Sequence, residues 1–259
     1  MLNSNIGKFY AGTSGLVLPV PNKQFYPEEF KDKSRLTYYA SLFNSIEINS
    51  SFYKVPLAST VRNWATQVPD DFVFTFKLWR DITHNKGLAY DPDHVKRFME
   101  VINNIGPKKG SLLVQFPPSL KVIMLPQLEK LLADIAEADP EQTWKVALEF
   151  RHSSWYHEDV FELIDHFGFQ VVIHDKPGSA PGMVESDAAY RYVRFHGPKG
   201  DYRGQYEDDF LYEFAENIQD WLAEGKTVFA YFNNTMGEAV KNLSLLNAVV
   251  NENISGARS

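Results

Sequence analysis

Eight short runs of β-branched and aromatic residues, each ending in polar side chains, limit what this chain can become more than any other feature. They occupy residues 8–13, 45–49, 72–77, 112–115, 146–151, 171–175, 190–196 and 228–233. All but one are followed by a segment with apolar residues at helical spacing. Strands alternating with helices predict a parallel sheet, and eight such units predict a single irregular (β/α)₈ TIM-type barrel. One such barrel takes about 250 residues, and the chain has 259. The expectation is one domain over 1–259, with the barrel core over about 8–250 and a polar, frayed tail over 251–259.

Helix signals support the alternation. Leu36, Tyr39, Ala40 and Phe43 share a face in 35–43, as do Val61, Trp64 and Ala65 in 57–67. Asp91-Pro92 pairs a capping residue with proline at the first helical position, and Gly168 suits a left-handed stop after 157–167. Leu128, Leu131, Leu132 and Ile135 mark a helix over 126–136, and 207–223 and 237–251 are long and amphipathic. The exception is the linker 176–189 between the sixth and seventh runs, KPGSAPGMVESDAA. A parallel crossover usually includes a helix, but the proline and glycine content here predicts a loop or a single turn.

Side chains alternate along a strand, so apolar residues set which neighbours point inward. Phe72, Phe74 and Phe76 should face helices, which turns Lys77 into the barrel. The same parity turns Glu47, Asn49, Glu149, Arg151, Arg194, His196, Tyr231 and Asn233 inward; for 171–175 either His174 or Asp175 faces in. Barrel active sites lie at the carboxyl ends of the strands, where this chain also places Gln115 and Asp175.

Composition narrows the partners. A net charge of −7 disfavours nucleic acid and acidic membranes as partners, though not a local basic mouth. Without cysteine, disulfides, thiolate catalysis and cysteine-ligated metals are excluded. No signal peptide or run of about 18 apolar residues is evident, so a cytoplasmic protein without membrane attachment is expected. Oligomeric state is left open.

Several strings resemble a known family. GTSG at 12–15, FYP at 25–27, EINSSFY at 47–53, ITH at 82–84, QFPP at 115–118, EFRHSSW at 149–155, YVRFHG at 192–197 and FNN at 232–234 are similar to the YecE-like domain of unknown function, number seventy-two of its kind. The resemblance runs from about residue 9 to about 250 and implies a TIM-type barrel with no established activity. Leu16 departs from the pattern, since members usually carry an aromatic residue just after GTSG.

Three chemistries compete for the mouth. Lys77, Arg151 and Arg194, with Arg80, His84 and His196 near strand ends, suit an anion site for phosphate or carboxylate; a lattice of ion pairs with Glu47, Glu149 and Asp175 is the structural alternative. A cation about 8 Å from a bound anion contributes roughly 2 kcal/mol at an effective dielectric near 20. Glu149 and Glu47, with His196, are the candidate catalytic acid–base groups. Asn49, Tyr53, Lys77, Arg80, His84, Gln115, Arg151, Asp175, Arg194, Asn233 and Asn234 are the candidate substrate-binding residues. No cofactor is expected, with a divalent Mn, Mg or Zn ion on Glu47, Glu149, Asp175 and His196 as the alternative. The loops 196–200 and 233–237 offer a phosphate cradle or ordinary turns. Trp155 is placed at the mouth, and His166 and His174 are read as buried. The expected function is acid–base chemistry, as a hydrolase, lyase or isomerase, on a small anionic, phosphorylated or sugar-like ligand. The rivals are a metal-dependent phosphodiester or nucleic-acid enzyme and a non-catalytic anion- or metabolite-binding barrel.

Overall fold

Short, β-branched and aromatic segments form the strands because they can pack on both faces of a sheet. The computed structural model describes residues 6–184 and 186–256. Its strands are β1 Phe9–Thr13, β2 Ser45–Ile48, β3 Val73–Lys77, β4 Lys109–Gln115, β5 Lys145–Glu149, β6 Gln170–Val171, β7 Ile173–His174, β8 Tyr190–Phe195 and β9 Thr227–Phe232. Its helices are α1 Arg35–Leu42, α2 Ser50–Tyr53, α3 Ala58–Ala65, α4 Arg80–Thr83, α5 Pro92–Ile102, α6 Leu125–Ala138, α7 Glu158–His166, α8 Asp208–Ala223 and α9 Ala239–Gly256. Ser34 caps α1 by accepting from the Thr37 amide, and Asp91 caps α5 from the Asp93 amide.

The fold is mixed α/β with parallel sheets. Hydrogen bonding sorts the strands into a four-stranded sheet, β1-β9-β8-β7, and a five-stranded sheet, β2-β3-β4-β5-β6. The single eight-membered ring of strands expected from the sequence is therefore divided. The sixth run breaks at Val172: its first half pairs with β5 and its second with β8. On the other side, β1 and β2 are linked by one bridge, Ser14 to Glu47.

The two sheets nevertheless face a common interior. Tyr231 of β9 shares hydrogen bonds with Ser45 of β2 at 2.6 Å and Thr75 of β3 at 2.7 Å. Val73, Leu113, Ala147, Val172, Tyr190, Tyr192, Phe229 and Tyr231 form this inner core. The alternate residues, including Phe72, Phe74 and Phe76, join the larger core beneath the helices. Phe76 packs against Trp64 and Trp144, with ring centroids at 6.3 and 5.8 Å. Burying each such ring stabilises by about 1.5–3 kcal/mol. The sequence parity holds throughout these strands, and Val172 on the inner face settles His174 as inward.

Several expectations change. No helix forms among the described residues of 176–189, in keeping with the linker's proline and glycine. The tail is not frayed from 251, because α9 continues to Gly256; residues 257–259 lie outside the described residues. Trp155 is not at the mouth. It is fully buried against Phe150 and donates to the Leu120 carbonyl at 2.8 Å. His174 is buried, but His166 is exposed at the end of α7. Among the described residues no helix is long and apolar enough to cross a membrane.

Candidate functional site

Inward parity sends charged side chains from three strands to one point beneath the mouth. Arg194 of β8 is fully buried there. Its Nε and Nη2 donate to Glu47 at 3.0 and 2.7 Å, and its Nη1 donates to Glu149 at 2.6 Å. Two more donors satisfy Glu47: the Tyr192 hydroxyl at 2.6 Å and the Ser14 hydroxyl at 2.5 Å. Arg151, just beyond β5, pairs with the other oxygen of Glu149. Two guanidiniums thus face two carboxylates. Such a lattice is costly to desolvate, but removing one partner strands a buried charge.

His196 extends the lattice. Arg151 Nη2 and Arg194 Nη1 donate to its Nε2 at 2.9 and 3.3 Å, and its Nδ1 donates to Asp175 at 3.3 Å. The His196 amide also donates to Asp175, at 2.8 Å, and the Tyr206 hydroxyl donates to the other oxygen of Asp175. Burial alone would raise the Glu149 carboxyl; the guanidiniums of Arg151 and Arg194 outweigh it and hold the group well below the usual carboxylate range. For Arg194, burial opposes the charge, but Glu149 and Glu47 raise its affinity for the proton above the ordinary arginine value.

Above this floor opens a cavity of about 380 Å³. Its lining includes eight residues expected from sequence: Asn49, Tyr53, Lys77, Arg80, His84, Gln115, Arg151 and Asn233. Phe52 and Tyr202 complete it. Among the described residues no carboxylate lines it, whereas three cations do. Arg151 Nε and Nη1 are buried and have no hydrogen-bond partner among the described residues. Burial, then the charge of Arg194, lowers Lys77 to about 8. Burial, then Lys77 and Arg80, lowers His84 to about 4. A larger cavity, about 520 Å³, lies away from the strand ends between α5 and α6, among Asp93, Glu100, Asp134 and Glu137.

The remaining expected residues lie elsewhere. Glu47, Glu149, Arg194 and His196 form the floor rather than the lining, and Asp175 supports His196 from the side. Asn234 is buried in the loop after β9, donating to the Gly204 carbonyl and to Asn242 at 3.0 Å each. The loops 196–200 and 233–237 do not form an open cradle. The Gly200, Met236 and Gly237 amides donate to the carbonyls of Gly197, Tyr202 and Asn234. The loops pack so closely that a Cβ on Gly197, at φ +95°, would lie 2.3 Å from the Arg203 oxygen. One on Gly237 would lie 2.3 Å from the Gly204 oxygen. Among the described residues, no group of three or more His, Asp or Glu side chains converges as metal ligands.

The model of the family described as "Protein of unknown function DUF72" matches residues 10–258. The chain belongs to the DUF72 family. It is 26% identical to the UPF0759 protein YunF of Bacillus subtilis (strain 168), over 82% of this chain and 84% of that protein. Among solved structures it resembles a DUF72 family protein of Thermotoga maritima MSB8, with 27% identity and a TM-score of 0.76, covering 94% of this chain and 99% of the other. A DUF72 family protein of Enterococcus faecalis V583 has a TM-score of 0.76 at 21% identity, covering 94% and 95%, a likeness of fold alone.

Sequence reasoning missed four supporting residues. Tyr192 shares the parity of Arg194, so its inward position was legible. Ser14 could not be foreseen, because it reaches Glu47 from a different sheet. Phe52 sits on α2, a single turn with no periodic signal. Tyr202 holds φ +67° in a loop, a conformation that its residue type does not announce.

Proposed function

We propose that the two sheets act as one (β/α)₈ domain whose mouth binds a small anionic ligand, phosphorylated or carboxylated. One observation carries this reading: in a chain of net charge −7, the cavity is lined by Lys77, Arg80 and Arg151 and, among the described residues, by no carboxylate. The Ser14–Glu47 bridge, the bonds from Tyr231 and the shared run at Val172 support the closed body.

The ligand's charge supplies the counter-ion that Lys77 and Arg80 do not have among the described residues. Arg151 is held from below by Glu149 and His196, and its unpartnered Nε and Nη1 supply donors. A guanidinium fixed in this way loses little conformational entropy on binding. Gln115, Asn49 and Asn233 add amide groups suited to hydroxyl or carbonyl oxygens. A single cation about 8 Å from the bound charge contributes roughly 2 kcal/mol.

In the enzymatic form of this reading, a hydrolase, lyase or isomerase, Glu47, Glu149 and His196 are positioning residues. Their polar atoms are engaged with Arg151, Arg194 and Asp175, and a carboxylate held as low as that of Glu149 is a weak base. Proton transfer then falls to groups in the lining. Phosphate and sulfate titrations followed by thermal unfolding at constant ionic strength test the anion site. Wild type should gain about 1–3 kcal/mol at concentrations well above Kd, and Arg151→Met should lose most of the gain. Equal responses in the two proteins would overturn the assignment.

A further inference from the structure

Lys77 is half-buried, and it differs from other buried or half-buried lysines. Lys108 Nζ donates to the Val68 and Pro69 carbonyls and sits 3.3 Å from Asp70. Lys109 donates to Thr143, and Lys176 donates to the Gly200 carbonyl. Lys77 Nζ has no hydrogen-bond acceptor and no carboxylate within ion-pair distance among the described residues. It lies 4.2 Å from the centre of the Phe52 ring, on the wall of the cavity. Its backbone is fixed as the last residue of β3, where the Ser51 hydroxyl donates to its carbonyl at 2.7 Å.

We propose that Lys77 is an amine nucleophile that forms an imine with the carbonyl group of an anionic aldehyde or ketone bound at this mouth. The proposal rests on the anion-site reading for the placement of its substrate. Arg151 offers free donors for the ligand's phosphate or carboxylate, and the aromatic wall of Phe52 leaves the amine poorly hydrated. Burial and the positive charge of Arg194 lower Lys77 to about 8. Roughly a tenth of it is then neutral at pH 7, against fewer than about one in a thousand for an ordinary lysine. Desolvation beside another cationic group is a general way to activate a lysine amine.

The chemistry balances without a redox partner. The nitrogen lone pair forms the C–N bond, and the carbonyl π pair moves to oxygen, which takes up a proton. The resulting carbinolamine loses its oxygen as water while nitrogen gives up its protons to solvent in the open cavity. Amine plus carbonyl therefore yields imine plus water. Reprotonation gives an iminium, which withdraws electrons from an adjacent C–H or C–C bond. That step belongs to the lyase or isomerase class.

Pyridoxal 5′-phosphate, an aldehyde carrying a phosphate, is a suitable probe. The full chain is incubated with less than one equivalent, reduced with borohydride, digested and mapped by mass spectrometry. Lys77 should be modified on the order of tenfold faster than any exposed lysine, and inorganic phosphate should suppress its labelling. Lys77→Met, checked for folding by circular dichroism, should lose that adduct. Modification spread over surface lysines with Lys77 spared would overturn the proposal. The phosphate melting experiment separates the two ideas. Stabilisation by phosphate without labelling of Lys77 removes the nucleophile and leaves the anion site. Labelling of Lys77 without phosphate stabilisation leaves the nucleophile and removes the anion site.

Discussion

The floor and the wall of the same mouth treat charge in opposite ways. In the floor, Arg194 meets Glu47 and Glu149 with three hydrogen bonds of 2.6–3.0 Å. On the wall, Lys77, Arg80 and Arg151 line open space, with no carboxylate in the lining among the described residues. Both regions hold cations: Arg194 in the floor and Arg151 where floor meets wall are paired with glutamate, whereas Lys77 and Arg80 on the wall have no carboxylate within ion-pair distance among the described residues. Complete pairing fixes geometry, whereas incomplete pairing retains free energy that a ligand can release. Under the proposed reading, the floor maintains the fold and the wall meets the ligand.

The largest effect should come from breaking the floor. Arg194→Met leaves two buried carboxylates without their shared partner and should cost about 3–5 kcal/mol. At about 2–4 °C per kcal/mol for a chain approaching this size, the melting midpoint should fall by roughly 10 °C. A fall of only a degree or two would show that the floor contributes no more than the wall.

Lys77→Met should act in the opposite direction. A folded-state value lowered to about 8 means that the unfolded chain holds the proton more tightly between about 8 and 10.5. The charge therefore destabilises the fold fully below about 8, and the penalty fades as pH rises through the unfolded value. The variant should be more stable than wild type at pH 7 by roughly 2–3 kcal/mol. The gap should close near pH 10, as read by urea unfolding across that range. A variant less stable than wild type at pH 7 would place Lys77 among the structural cations.

The smallest effect concerns the edge of the floor. Burial lowers His174 to about 4, with the nearby charges of Glu149 and Arg151 as lesser influences. Because the unfolded imidazole takes up a proton first, stability should decline as pH falls from about 6.5 to 4. His174→Gln should flatten that slope by about 1 kcal/mol, a modest share of the full shift. An unchanged slope would assign the acid sensitivity to His84 on the wall.

Much of this arrangement was legible because strand parity is a strict rule. Three phenylalanines on one face of β3 were enough to turn Lys77 inward, and the strings EINSSFY, EFRHSSW and YVRFHG carried both the family and most of the site. Parity gives direction, however, and not depth. Glu149 and Arg151 share a face, yet one lies under the other, and only the pairing with Arg194 across the sheets decides which meets solvent. The division at Val172 was also hidden, since an uninterrupted apolar run carries no mark of a change of partner strand. Short helical turns such as α2 and α4 are below the length at which periodicity can be read, although they bring Phe52, Tyr53 and Arg80 to the cavity.

The close packing of the two loops beyond β8 and β9 has a dynamic consequence. Tyr202 and Asn233 both border the cavity, and the Met236 amide donates to the Tyr202 carbonyl at 3.1 Å while the Glu238 amide donates to that of Gly204. With glycines at the contact points leaving no slack for a side chain, neither loop can swing outward without breaking bonds to the other. The pair should open as one cooperative unit, with matched hydrogen-exchange rates. Admission of a ligand on that side would then be a single concerted event.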